Sequence, residues 1–276
     1  MAQPLLYDFI LAYYPARARL MLVEKGVPYT TRPLNLLNGE SLRPAFLRVN
    51  PAGTLPVLAH GDKTLTQSLD IVQYVDESLG AGGPLGGDGA DPKLVAQWRS
   101  QVDGFDGNLF MTAHMEGGAK ALMEKLGVFR EKFAAARKAE NPDLTDVYDR
   151  KLAAMAADAQ RNKDSAALEE NERRLVGLLD AAETRLGAAG APAWLAGSAY
   201  SQADVLFSVV LWRIAMAKQQ SRYIEPRPAV LSYYQRIQQR PSWRQVFAPS
   251  LSGLTAARLV LPALIKAWWA GLTGRY

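Results

Sequence analysis

The sequence predicts a two-part protein, an α/β unit on a small mixed sheet followed by an all-α region. Three features predict it. Short apolar runs alternate with helical stretches up to residue 80, glycine and proline crowd into 81–92, and helical periodicity then runs almost to the end. At 276 residues, with 49% hydrophobic and 21% charged residues, the chain has material for two ordinary cores.

Residues 5–9, Leu-Leu-Tyr-Asp-Phe, read as a first short strand. Pro15 is tolerated in a first helical turn, and 16–25 runs helical up to Gly26. A second strand covers 29–36, Asn38-Gly39 is a turn, and a short helix covers 40–49. Pro56 opens a third strand, because proline within a sheet is tolerated at a strand's first residue. Gly61-Asp62 turns the chain into a fourth strand, His60 belongs to that hairpin, and a helix follows over 68–79. The order β-α-β-α-β-β-α describes a mixed sheet with helices packed on it.

After the 81–92 linker, helices are predicted over 93–115, 119–140, 144–161 and 166–186. Leucines at 168, 175, 178, 179 and 186 have the spacing of a buried helical face. Ser201 with Asp204 makes a capping-box start for a buried helix over 203–217, and a further helix covers 229–240. The segments are thus 1–80, the linker, a helical region over 93–250, and a hydrophobic tail over 251–276.

The chain has no cysteine, which excludes disulfides, thiolate catalysis by the protein and cysteine-held metal. His60 and His114 are the only histidines and lie far apart, so no metal site is expected. The net charge is +5, with basic residues scattered rather than striped among aromatics, so no nucleic-acid partner is expected. The start lacks a signal-peptide pattern, which predicts a cytoplasmic protein.

The tail has two readings. Residues 259–272 are conspicuously apolar, yet too short to span a bilayer and interrupted by Pro262 and Lys266. Trp268-Trp269, flanked by Arg258, Lys266 and Arg275, suits a peripheral membrane contact. Packing into a groove of the same protein or its partner is the other reading.

Asn50-Pro51-Ala52-Gly53-Thr54-Leu55-Pro56-Val57-Leu58 is the stretch around which a site can be built. A tight bend at Leu55-Pro56 leaves the amide and carbonyl of Leu55 free for a partner. The helix that starts near Ser68 presents unpaired N–H groups suited to a carboxylate. A free backbone edge beside such a helix start suits a small peptide.

Residues 49–58 with Gln67-Ser68, set in this order of elements, resemble the glutathione transferases over 5 to about 248. The resemblance implies a thioredoxin-like N-terminal domain that binds glutathione as co-substrate, and a helical C-terminal domain that receives the electrophile. It implies that Leu55, ahead of Pro56, pairs through its backbone with the cysteinyl part of glutathione. Gln67 and Ser68 are then expected to hold the γ-glutamyl carboxylate, and a homodimer is expected. Asn141-Pro142-Asp143-Leu144, the run 194–204 and the run 227–236 resemble the tetrachlorohydroquinone dehalogenase-like class. A long helical insertion at about 115–170 is shared with that class. The ganglioside-induced differentiation-associated proteins also have such an insertion, together with a hydrophobic C-terminal anchor.

Glutathione transfer needs the thiol, ordinarily titrating at about 8.5, to ionise near neutral pH. Serine-type relatives carry their activating hydroxyl where this chain has Ala12, and the bacterial dehalogenases carry a cysteine that aligns with Tyr14. Without cysteine, reductive dehalogenation through an enzyme mixed disulfide is excluded. Tyr14, Tyr13 and backbone N–H groups at the first helix remain as candidate thiol activators. Arg17 and Arg19 are expected to be mainly solvated, and Trp98, Phe105, Phe110, Met111 and His114 to line the cleft or pack in the core. The expected function is conjugation or reduction of hydrophobic electrophiles with glutathione. The alternative is a weakly or non-catalytic glutathione-binding protein acting at a membrane through its tail.

Overall fold

The structure is a computed structural model that describes residues 2–188, 190 and 193–276. The first part contains β1 (Leu5–Asp8), α1 (Tyr13–Glu24), β2 (Thr30–Pro33), α2 (Pro44–Leu47), β3 (Val57–His60), β4 (Lys63–Leu65) and α3 (Ser68–Ser78). The strand order is β2-β1-β3-β4. β1 and β2 are parallel, and the other two pairings are antiparallel. Alternation across the sheet separates two apolar faces. Leu6 and Leu58 pack with α1 and with Ile71, Val72 and Val75 of α3, while Tyr7 and Val57 pack with Phe46 and Leu55. This is a thioredoxin-like arrangement joined to a helical region.

The remaining helices are α4 (Pro92–Asp103), α5 (Gly107–Ala113), α6 (Gly117–Glu140), α7 (Thr145–Arg161) and α8 (Ser165–Gly187). They are followed by α9 (Gln202–Met216), α10 (Gln220–Tyr223), α11 (Pro228–Gln238), α12 (Pro241–Phe247) and α13 (Gly253–Thr273). α9 is buried from Gln202 to Ala215 and forms the axis of the helical part.

Two predicted helices are broken. The helix expected over 40–49 is a single turn at Glu40–Leu42 followed by α2. Arg43 precedes a proline and is extended (φ −73°, ψ 143°), as the clash with the proline ring demands. The helix expected over 93–115 stops at Asp103 and restarts at Gly107. Asp106, extended at φ −95° and ψ 100°, accepts from the N–H groups of Asn108 and Leu109. A capping carboxylate there outweighs the apolar periodicity that runs through the break.

A second core lies apart from the main one. Leu42 and Leu47 from the β2–β3 connection meet Phe129, Phe133, Ala134, Leu144, Tyr148 and Ala270. The Tyr148 hydroxyl donates to the Leu42 carbonyl at 2.8 Å. The insertion and the tail therefore close over the connection that leads to Leu55. One face of α13 is packed: Asn35 donates to the Leu259 carbonyl at 2.9 Å, and Lys266 donates to the Asn38 carbonyl at 2.8 Å. The other face carries exposed Leu254, Leu261, Ile265, Trp268, Trp269 and Leu272. Among the described residues no single helix is long and apolar enough to cross a membrane.

Lys151, on α7, reaches this connection with its Cε 3.2 Å from where a Cβ on Gly53 would stand. Burial first, and then the charge of Arg130, bring its ammonium down to about 8. The unfolded lysine holds its proton to about 10.4, so stability rises with pH between those values. Lys151→Met is expected to stabilise the fold by about 1 kcal/mol at pH 7 and by nothing above roughly pH 10.5. Urea unfolding at the two pH values checks this; an equal difference at both contradicts it.

Candidate glutathione-binding site

The sheet register gathers the candidate residues at one end. Leu58 faces Leu65 in the β3–β4 pair, so the residues before β3 lie alongside those after β4. Tyr7 faces Val57, so the β1–α1 connection leaves from the same end. Leu55, Gln67-Ser68 and the opening of α1 thus share one edge.

Leu55 is 7% exposed, and its peptide bond to Pro56 is cis. Among the described residues neither its N–H nor its carbonyl has a hydrogen-bond partner. Such an unpaired N–H and carbonyl on one residue can pair with an extended ligand backbone. The preceding loop is held by Asn50, whose amide donates to the Thr54 carbonyl at 2.9 Å and accepts from the Ala52 N–H at 3.2 Å. Gly53 is at φ +59°, a conformation that favours glycine.

Ser68 is buried at the first position of α3, and Gln67 precedes it as an exposed N-cap without a side-chain capping bond. The first-turn N–H groups of α3 are therefore open to an anion. Arg17 donates to the Ser68 hydroxyl at 3.4 Å and to the Tyr13 hydroxyl at 3.3 Å, linking this helix start to that of α1.

Arg17 and Arg19 are buried, not solvated as the sequence suggested. α1 packs between α3 and α9, which leaves no solvent face there. Their charges are met by carboxylates: Asp103 lies 3.5 Å from Arg17, and Asp8 pairs directly with Arg19. Burial pushes the Asp8 carboxyl up, and the Arg19 charge opposes that rise.

α1 starts after Ala12, an N-cap with no side-chain bond. Tyr13 is fully buried, with its ring edge-on to Phe105. A Cβ on Gly107 would come within 2.6 Å of that ring, so only glycine fits over Tyr13. Tyr14 is half-buried, and its hydroxyl donates to Asp106 Oδ1 at 3.3 Å. Burial first, then the Asp106 charge, raises the Tyr14 phenol well above its ordinary range and keeps it a donor at neutral pH. Asp106 is also paired with Arg161 at 2.7 Å.

Trp98, Phe105 and Phe110 belong to the main core, while Met111 and His114 are half-buried. Two residues beside α1 escaped the sequence reading. Asp106 sits in an Asp-Gly-Asn run, an available cap signal. Arg213 is the one basic residue of α9, and it donates to the Leu11 carbonyl at 3.3 Å.

Comparison with known proteins agrees with this geometry. The pattern described as "Glutathione S-transferase, N-terminal domain" matches residues 13–78, and that described as "Glutathione S-transferase, C-terminal domain" matches 165–236. The chain is 30% identical over 252 residues to the Arabidopsis thaliana "Glutathione S-transferase TCHQD", covering 91% of each. It is 27% identical over 239 residues to the Sphingobium chlorophenolicum "Tetrachloro-P-hydroquinone reductive dehalogenase", covering 86% of this chain and 93% of that one. Among solved structures, poplar glutathione transferase F1 superposes with a TM-score of 0.63 at 19% identity, over 91% of this chain and 99% of the other. The sheet with its open helix start, the helical partner region and these matches agree: the chain belongs to the glutathione transferase superfamily, in the neighbourhood of its tetrachlorohydroquinone dehalogenase-like class.

Proposed function

We propose that this chain binds glutathione along Leu55, Gln67 and Ser68 and transfers its sulfur to a hydrophobic electrophile. The unpaired N–H and carbonyl of buried Leu55, beside the open start of α3, carry this reading. Backbone pairing at Leu55 takes the cysteinyl residue, Pro56 fixes the bend beside it, and Gln67, Ser68 and the α3 N–H groups take the γ-glutamyl carboxylate. The sulfur then lies toward the opening of α1. Its thiolate attacks the electrophilic carbon, a carbon–sulfur bond forms, and the leaving group departs with the bonding electrons. With no cysteine in the chain, no mixed disulfide with the protein enters the cycle. A cytoplasmic homodimer is the form expected of this superfamily.

Tyr14 is the thiol's hydroxyl donor in this scheme, with Tyr13 behind it. Its 3.3 Å bond to Asp106 is long for an O–H···O contact and leaves the hydroxyl free to turn toward sulfur. Retention on immobilised glutathione, followed by turnover of a simple aryl halide, tests the function. In that assay Tyr14→Phe is expected to lower kcat/KM about tenfold and to move its pH midpoint upward. An unchanged profile removes Tyr14 from the mechanism, and loss of retention by the native chain removes the glutathione reading.

The exposed apolar stripe of α13 supports a second reading, peripheral contact with a membrane through 259–272. Glutathione retention without turnover, together with vesicle binding, favours that reading over catalysis.

A further inference from the structure

Among the described residues three arginines are buried, Arg17, Arg19 and Arg213. The first two have carboxylates, Asp103 and Asp8. Among the described residues Arg213 alone of the three has no carboxylate within 4.0 Å. It is 3% exposed, its Nε has no partner, and its single hydrogen bond runs to the Leu11 carbonyl at 3.3 Å. The rings of Tyr13 and Trp212 flank its guanidinium at 5.3 and 5.0 Å. Tyr13, Tyr14 and Arg19 face it from α1, and Asp106 faces it from the head of α5. Asp106 is already engaged by Arg161. The acids and phenols of the other packed helices are also occupied: Asp103 by Arg17, Tyr223 by Glu172, and Tyr233 by Asp204. Burial brings the Arg213 guanidinium down only to about 10, so it is a cation at neutral pH.

A buried charge without a counter-ion is costly, and an arriving anion relieves that cost. Leu11 and Ala12 are the last residues before α1; Ala12 has no side-chain donor, and its N–H is taken by the Phe9 carbonyl at 2.8 Å. We propose that Arg213, reaching across from the helical part, is the cation that holds the sulfur of bound glutathione as a thiolate at the opening of α1. This rests on the glutathione reading above. In the step the S–H bond breaks, both electrons stay on sulfur, and the proton passes to water. Arg213 remains protonated throughout. An opposite charge within about 4–6 Å lowers a titrating group by roughly 1–3 pH units.

The test is titration of the bound thiol by its ultraviolet thiolate absorbance, using the full chain with saturating glutathione. In the native protein the bound thiol is expected to ionise at least about one unit below free glutathione. Arg213→Gln is expected to raise that midpoint by about one to two units, some ten- to hundredfold less thiolate near neutral pH. Arg213→Lys is expected to keep most of the depression, and glutathione affinity to stay within about threefold. A native midpoint equal to that of free glutathione overturns the proposal without any variant having to fold. Equal midpoints in the native and Gln proteins also overturn it. A native chain that holds no glutathione overturns the glutathione reading instead, and this inference falls with it.

Discussion

Asp204→Ala is expected to destabilise the protein by about 3–5 kcal/mol, seen as a large drop in the urea midpoint. The carboxylate is fully buried at the first turn of α9 and accepts four hydrogen bonds. Oδ2 takes the Ser201 N–H at 2.9 Å and the Ser201 hydroxyl at 3.0 Å. Oδ1 takes the Leu195 N–H and the Tyr233 hydroxyl, both at 3.0 Å. Burial pushes this carboxyl up, and those donors hold it back. Truncation to alanine leaves buried donors with nothing to bond. Against a total of about 5–15 kcal/mol for an ordinary fold, such a loss shows as poor accumulation of folded chain. Asp204→Asn presents an amide N–H₂ to donors, so it is expected to lose nearly as much. A loss under about 1 kcal/mol for alanine contradicts the assigned role.

The second large effect concerns α13. A chain ending at Pro249 is expected to lose stability, and on the membrane reading it loses vesicle binding as well. It removes Leu259, Ala263, Ala267 and Ala270 from their packed positions and uncovers Phe129 and Phe133. Removing this helix therefore confounds the two readings of the tail. A chain with Ile265→Ser, Trp268→Ser and Trp269→Ser separates them, because all three side chains are exposed. That variant is expected to keep its unfolding midpoint and aryl-halide turnover, and on the membrane reading it loses at least about tenfold in co-sedimentation with anionic vesicles. Equal sedimentation of native and substituted chains sinks the membrane contact. A change in size-exclusion mass instead assigns the stripe to a second copy of the chain.

The parts that could be read from sequence are those with local signals. Pro56 marks the head of β3, Gln67-Ser68 marks the head of α3, and the period of the apolar residues separates the sheet from the helices. The candidate glutathione contacts fall on backbone and helix-start groups, which such signals locate. Pairings between distant segments left no such mark. Arg17 and Arg19 read as surface residues because nothing near them in sequence announces that Asp103 will meet the one, or that α1 will lie between α3 and α9. The break before α5 was hidden because the apolar period continues through Phe105 while Asp106 caps a new helix. Arg213 interrupts an apolar run and passed unnoticed in the sequence. Its meaning depends on Leu11, which the fold alone brings beside it.

The second core bears on how the chain is made. Leu42 and Leu47 emerge early in synthesis, Phe129 and Tyr148 much later, and Ala270 later still. The hydrogen bond from Asn35 to Leu259 spans 224 residues. An N-terminal unit usually folds while the rest is still being synthesised. Here that unit carries an unfinished apolar flank until α13 leaves the ribosome. The connection that leads into Leu55 is therefore the last piece of the sheet unit to settle, and nascent chains stalled before α13 are the form most exposed to chaperones and proteases.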